Sequence, residues 1–162
     1  CCAAFGGETA RAALSFAVLG ILTVVAFMDI DTLEIYDRFP ALLLVCGAAA
    51  QFVFPGPGIA SRLLGCVIVS LPMLLLALVV PGGFGGGDIK LMFGAGFFLG
   101  ARLTVVAAFL GILLGGGFGA LLLAAKKADR KTRFAFGPFL CIGIAAAMFF
   151  GERLADWYIG LL

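Results

Sequence analysis

Two acidic residues at the edges of apolar runs are the positions in this sequence best suited to chemistry. Asp29 follows directly on the apolar run 12–28, and Asp88 lies between the apolar runs 59–80 and 91–99. Carboxylates in such surroundings are costly, and by default they are read as functional. Two carboxylates brought together share one proton near neutral pH, because they cannot both ionise cheaply. One can then take a proton from water while the other donates one to a peptide carbonyl, as in an aspartic peptidase.

The residues of the other common hydrolytic sites are missing. The sequence contains no histidine, which excludes a Ser-His-Asp triad, a Cys-His pair and an HExxH zinc site. Its five cysteines form no CxxC pair, and three of them lie in apolar runs, where cysteine behaves as a small hydrophobic residue. We therefore expect no metal site and no cofactor, and we assign no function to Cys1 and Cys2.

A glycine-rich segment, PGGFGGGDIK at 81–90, delivers Asp88. Glycine lets the backbone adopt conformations closed to other residues and lets another segment, or a substrate strand, approach closely. We expect a supporting loop here, followed by a basic group. The supporting residues are Gly85, Gly86, Gly87 and Lys90. The alternative is a flexible connection whose acid caps the start of a helix.

Acids also cluster where the first apolar run ends. They are Asp29, Asp31, Glu34 and Asp37. A helix advances about 100° per residue, so Asp29 and Asp31 point in roughly opposite directions and only one of them faces Asp88. We expect Asp29, which adjoins the apolar run, and Asp31 stays open as the alternative. A solvated helix end would also gather acids, but acids at a helix C-terminus oppose its dipole and need a compensating reason.

Composition identifies an integral membrane protein. Apolar side chains make up 64% of the 162 residues and charged ones 12%, far from the balance of a soluble domain. A membrane helix needs about 20 apolar residues, fewer where flanking groups reach the interface. We predict a single polytopic domain over 1–162, an all-α bundle of about six transmembrane helices. The predicted helices are 12–28, 40–54, 59–80, 89–99, 103–125 and 136–160. No basic face suggests nucleic-acid binding.

Proline and glycine punctuate these runs. The PGPG sequence at 55–58 ends the second predicted helix, and Pro72 predicts a kink in the third. In the fifth, Gly111 and Gly115 have the four-residue spacing that lets membrane helices pack closely. We interpret them, with the glycines at 116, 117 and 119, as packing residues.

Basic residues are concentrated between the fifth and sixth predicted helices. The cluster comprises Lys126, Lys127, Arg130, Lys131 and Arg133. Short loops rich in Lys and Arg stay in the cytoplasm. Counting outward from this loop, the segments that hold Asp88 and the acids after Asp29 are cytoplasmic as well. Arg62 and Arg102 fall on the opposite side.

Three motifs in the right order resemble the type IV prepilin peptidases, a family of GxGD membrane aspartic peptidases. GGGDIKL at 85–91 is similar to the family's GxGDxKL segment. DIDTLEIYD at 29–37 resembles its first catalytic segment, in which an Asp is followed by Ile/Leu-Pro-Asp/Asn, although Tyr36 stands at the usual proline. FGPFL at 136–140 resembles the start of its last helix, with Ala135 where a proline often precedes.

By this resemblance Asp29 and Asp88 are the catalytic pair, and Lys90 is a nearby basic group without an assigned role. The resemblance implies an aspartic endopeptidase of the prokaryotic cytoplasmic membrane. Its partners are the lipid bilayer and prepilin-like substrates, pilins or pseudopilins, whose short basic leader is cut at the cytoplasmic face just before the apolar helix. Many relatives also methylate the new N-terminus and carry a cytoplasmic region with cysteine pairs. No loop of this sequence holds such a region, so we expect peptidase activity without methyltransferase activity.

Two other function classes fit parts of the pattern. A small proton-coupled transporter or channel could carry protons on Asp29 and Asp88, with the glycines marking broken helices. A transporter of this kind would be expected to have an internal repeat and acids near mid-membrane, and the sequence suggests neither. A non-catalytic scaffold of a secretion system, held together by glycine packing, has no use for two acids in this setting.

Overall fold

The computed structural model describes residues 2–53, 56–79, 85–124 and 135–160, without the side chains of 2–8, 53, 122–124 and 158–159. Within these ranges the chain forms seven helices and no strand. They are α1 (Cys2–Thr32), α2 (Arg38–Val53), α3 (Ile59–Ile68), α4 (Ser70–Val79), α5 (Gly86–Leu99), α6 (Ala101–Ala124) and α7 (Gly137–Ile159). The predicted all-α membrane fold is confirmed.

Helices α3 and α4 form one membrane span that is interrupted at Val69. Pro72 explains the position of the break, because proline lacks an N–H and its ring clashes with the carbonyl four residues earlier. That carbonyl belongs to Ile68, the last residue of α3. The irregularity predicted at Pro72 therefore lies one turn before it.

Four segments are long and apolar enough to cross a bilayer. They are Thr9–Thr32, Ile59–Val79, Ala101–Leu121 and Gly137–Trp157. Large apolar side chains such as Phe16, Phe52 and Leu78 are exposed on the outside of the bundle, as expected where lipid is the solvent. The chain is a multi-pass membrane protein.

Two helix boundaries differ from the predicted ones where the acids lie. Helix α1 continues to Thr32 and so includes Asp29, which the sequence places just after the helix. Helix α5 begins at Gly86, three residues before the predicted start at 89. Asp88 therefore stands in the first turn of a helix and not in a loop. Its carboxylate accepts the N–H of Gly85, which caps that turn.

Helix α5 lies at the centre of the bundle, where α2, α3, α4, α6 and α7 pack around it. Glycines make the close contacts. A Cβ on Gly96 would meet the backbone carbonyl of Gly65 in α3, and a Cβ on Gly94 would lie 2.6 Å from the carbonyl oxygen of Pro40 in α2. The small residues let the backbones approach, as is common between membrane helices. This short helix carries Asp88 into the interior of the protein.

The α6–α7 contact depends on two of the predicted packing glycines. A Cβ on Gly111 would lie 2.9 Å from Cδ2 of Leu140, and one on Gly115 would lie 2.5 Å from the ring of Phe136. The predicted packing role is confirmed for these two. Gly116 and Gly117 have no such neighbour within 4 Å, so close packing does not explain them.

Some sequence predictions fall outside the described residues. They are the basic cluster 126–133, the first part of the glycine-rich segment, 81–84, and Pro55 of the PGPG sequence.

Candidate active site

Asp29 lies in the last turn of α1 and is buried, with 6% of its surface exposed. Its Oδ2 accepts a hydrogen bond of 2.9 Å from the backbone N–H of Gly137. Gly137 is the first residue of α7, and the carbonyl of Phe136 before it accepts the first hydrogen bonds of that helix. The first N–H groups of a helix have no partner within it, and a helix N-terminus favours negative charge. The carboxylate of Asp29 therefore caps α7.

The capping contact leaves no room for a side chain at position 137. A Cβ there would lie 2.8 Å from Oδ2 of Asp29 and 2.9 Å from its Cγ. The glycine of the FGPFL motif is thus explained by its contact with the acid, because any larger residue would displace the carboxylate.

Asp88 is equally buried, with 6% of its surface exposed. Its Oδ2 accepts a 3.3 Å hydrogen bond from the N–H of Gly85. Its Oδ1 has no hydrogen-bond partner among the described residues. Asp88 lies outside the four spans. Burial, and next the charge of Asp29, raise the pKa of Asp88 to about 6 against the opposing effect of the Gly85 hydrogen bond.

The structure brings the two acids together although they are far apart in the sequence. Each of their charges acts on the thiol of Cys141, a buried residue one turn into α7, and the charge of Asp29 acts on Asp88. Two buried carboxylates whose charges interact cannot both ionise cheaply. This is the arrangement that acid–base hydrolysis needs.

Cys141 is a neighbour of the two acids that the sequence did not predict, because a cysteine in an apolar run resembles a small hydrophobic residue. Its position contains a usable signal. Cys141 is four residues after Gly137, so both lie on the same face of α7. Once the FGPFL motif is placed beside Asp29, this spacing places Cys141 there as well.

Asp31 is exposed, whereas Asp29 is buried. The other two acids of the cluster, Glu34 and Asp37, are exposed too. Of the four acids, only Asp29 is in the interior with Asp88.

The linker after α1 is fixed against the start of α5. Ile35 is buried, and a Cβ on Gly87 would lie 2.7 Å from its Cβ. Leu33 leaves the helix with a φ of 54°, and its N–H donates to the carbonyl of Asp29. The contact of Ile35 with Gly87 therefore joins the two segments that carry the acids. A Cβ on the neighbouring Gly86 would have open space.

Lys90 lies on the outer face of α5, where it pairs with Asp37 and not with Asp29 or Asp88. Its Nζ is 2.6 Å from Oδ1 of Asp37, and both side chains are more than half exposed. Such a pair contributes about 0–1 kcal/mol. It links the start of α2 to α5.

Comparison with known proteins decides the family. The sequence model of the type IV leader peptidase family matches residues 16–120, well over half of the chain. The chain belongs to this family. Similar to it are three proteins named prepilin leader peptidase/N-methyltransferase. The protein from Bacillus subtilis (strain 168) is 30% identical over 141 residues, covering 87% of this chain. The one from Legionella pneumophila is 30% identical over 161 residues, covering 95%, and the one from Aeromonas salmonicida (strain A449) is 26% identical over 147 residues, covering 88%. No solved structure matches significantly.

The pairwise alignments with these three relatives cover only part of each relative's length. They cover 57%, 55% and 50% of those three proteins, so the chain spans about half the length of the curated relatives it matches. The family segment 16–120 contains both acids, whereas the N-terminus of α7, which contacts Asp29, lies beyond it.

Proposed function

We propose that this chain is an aspartic endopeptidase that cuts type IV prepilin-like proteins between their leader and their apolar N-terminal helix. One observation carries the proposal. Asp29 and Asp88, from two distant segments of a leader peptidase family chain, are buried close enough for the charge of one to act on the other. The proposal covers leader cleavage alone.

In the proposed reaction the two carboxyl groups share one proton. The ionised member takes a proton from a water molecule, and the oxygen of that water attacks the carbonyl carbon of the scissile peptide. The other member donates its proton to the carbonyl oxygen. Collapse of the tetrahedral intermediate breaks the C–N bond, and the leaving amine receives a proton from the pair. Acid–base assistance of this kind accelerates a reaction by about 10²- to 10⁴-fold per group.

The proposed substrate approaches from the cytoplasmic face. The basic residues of 126–133 favour a cytoplasmic location for the loop between α6 and α7. The ends of α1, α4 and α6 and the starts of α5 and α7 share that side when the spans alternate. A leader outside the membrane, followed by an apolar helix within it, would bring its junction to the level of Asp29 and Asp88.

The direct test is cleavage of a prepilin by the purified chain in lipid, with the products mapped by mass spectrometry. We expect wild type and Asp31→Asn to release the leader at the border of the apolar helix, and Asp29→Asn and Asp88→Asn to release none. Asp31→Asn is the matched control because it removes an exposed acid from the same helix as Asp29. Cleavage by Asp88→Asn at the wild-type rate would refute the aspartic mechanism. Proton flux in vesicles, lost with Asp88→Asn and without any cleavage by wild type, would support the transporter alternative.

A further inference from the structure

Resting on the proposed peptidase activity, we propose that Gly137 is a positioning residue that fixes Asp29 as the ionised member of the pair. Asp29 then takes the proton of the attacking water, and Asp88 carries the proton that the peptide carbonyl receives. Gly137 acts through Asp29 and contacts neither water nor substrate in this assignment.

The geometry at Asp29 favours a carboxylate. Oδ2 accepts the Gly137 N–H at 2.9 Å, and this N–H is the first of α7, where the helix has no acceptor of its own. The positive end of a 23-residue helix points at the same oxygen. A hydrogen bond from such a donor stabilises the ionised acid more than the neutral one. Glycine is needed because a Cβ would lie 2.8 Å from that oxygen.

The geometry at Asp88 favours the protonated acid. Its one hydrogen bond, from Gly85, is longer at 3.3 Å, and its buried Oδ1 has no partner among the described residues. An ionised oxygen without a donor is costly to bury. An O–H at Oδ1 would instead be available to a peptide carbonyl. The two acids thus differ in their hydrogen-bond donors, and the N–H of Gly137 is the main difference.

The other titratable groups near Asp29 do not reverse this assignment. From α5 it faces Asp88, and from α7 it faces the thiol of Cys141. On its own helix Asp31 is exposed, and at the start of α2 Arg38 is exposed. None of these described residues donates a hydrogen bond to Asp29, whereas Gly137 does.

Two substitutions at position 137 distinguish the effect of added side-chain volume from the effect of losing the hydrogen bond. Gly137→Ala adds a Cβ and keeps the N–H. Gly137→Pro adds a Cβ and removes the N–H, and proline is well tolerated at the first position of a helix. Gly111→Ala is the matched control, because its Cβ would crowd Leu140 of α7 at 2.9 Å without touching Asp29. The measurement is the pH dependence of prepilin cleavage, with the thermal midpoint of each variant recorded.

Cleavage falls at low pH when Asp29 becomes protonated, and this fall is the acidic limb of the pH–rate profile. We expect the acidic limb to move to higher pH by about one unit in Gly137→Ala and further in Gly137→Pro, because Asp29 is then less easily ionised. At a pH on that limb this is a rate loss of about tenfold or more. Gly111→Ala lowers the thermal midpoint but leaves the limb in place. If the limb stays in place in both Gly137 variants while wild type cleaves and Asp29→Asn does not, the positioning role is wrong and the peptidase proposal stands. If wild type itself does not cleave, the proposed function has failed instead.

A second measurement does not require the Gly137 variants to fold. The thermal midpoint is followed from about pH 4 to 7 in wild type, Asp29→Asn and Asp88→Asn. A proton held on buried Asp88 stabilises the fold. That stability is fully present below the ordinary carboxyl pKa of about 4 and is lost as pH rises from there through the raised pKa of about 6. We expect this slope to disappear in Asp88→Asn and to persist in part in Asp29→Asn. The reverse pattern would overturn the assignment.

Discussion

A buried charged residue lies at each end of α5, and the two differ in how many hydrogen bonds they make. At its C-terminal end Arg62 of α3 is fully buried, and it donates through Nε and Nη1 to the carbonyls of Pro57, Gly47, Phe97 and Phe98 at 3.0–3.2 Å. At its N-terminal end Asp88 accepts one hydrogen bond from the described residues, at 3.3 Å. Each also has one buried atom without a partner among the described residues, Nη2 and Oδ1.

Arg62 has a structural role, whereas the role that we propose for Asp88 is chemical. The carbonyls of Phe97 and Phe98 belong to the last turn of α5, where the helix supplies no donor. Arg62 satisfies them and joins α3 to α2 and α5. Among the described residues, the carboxylate of Asp88 bonds only to the start of its own helix. A buried acid that contributes so little to packing needs another reason, and the acid–base chemistry that we propose would be one.

The largest effect on stability should come from Arg62→Met. This change leaves helix-end carbonyls buried without donors, at a cost of about 3 kcal/mol or more in the free energy of unfolding. Arg102→Met is the control. Arg102 pairs with Glu152 and Asp156 on an exposed surface, and its loss should change stability little. Thermal unfolding in lipid measures both. Equal midpoints for the two variants would contradict the structural role of Arg62.

The pH dependence of wild type tests the chemical role of Asp88. With its pKa raised to about 6, Asp88 loses its proton as pH rises through that value. The cleavage rate should then fall by about tenfold for each pH unit above this pKa. A rate that stays flat from about pH 5 to 8 would show that no proton with this pKa is needed.

Two adjacent glycines of the same motif should differ when replaced by alanine. Gly87→Ala pushes a methyl group into Ile35, which costs about 1–3 kcal/mol and displaces the linker that follows Asp29, so cleavage should fall as well. Gly86→Ala meets open space and should preserve both stability and cleavage. Thermal midpoints and initial rates of the two variants check this. Similar losses in both would mean that the glycines act through backbone freedom and not through the contact with Ile35.

The smallest effect should follow Lys90→Met. The ion pair with Asp37 is exposed and contributes at most about 1 kcal/mol. Cleavage by this variant at low substrate should remain within about threefold of wild type. A loss as large as that of Asp88→Asn would place Lys90 in the chemistry, contrary to its position on the outer face of α5.

The sequence indicates Asp29 and Asp88 as candidates because both lie at the ends of apolar runs, and the structure buries both. The sequence also chose Asp29 over Asp31, and the burial of Asp29 agrees with that choice. The start of α5 was predicted three residues late, since three consecutive glycines argue against a helix. The capping by Asp88 and the contact of Gly87 with Ile35 outweigh that local preference, and both depend on the folded chain.

Other parts of the site have no local signature. The FGPFL motif was found, but the reason for its glycine is the carboxylate of Asp29, 108 positions away. Arg62 was read as one of the few basic residues at the outer edge, and its complete burial follows from carbonyls supplied by three different segments. Contacts of this kind arise from tertiary packing, which one sequence does not reveal.

The most direct test of the central claim is whether Asp29 and Asp88 act as one unit. Initial cleavage rates are measured for Asp29→Asn, Asp88→Asn and the double variant, with thermal midpoints as the folding control. If the pair shares one proton, either single change should remove nearly all activity, a loss on the order of 10²- to 10⁴-fold, and the double variant should be no worse. Losses that multiply in the double variant, or a single variant that cuts at the wild-type rate, would contradict the account.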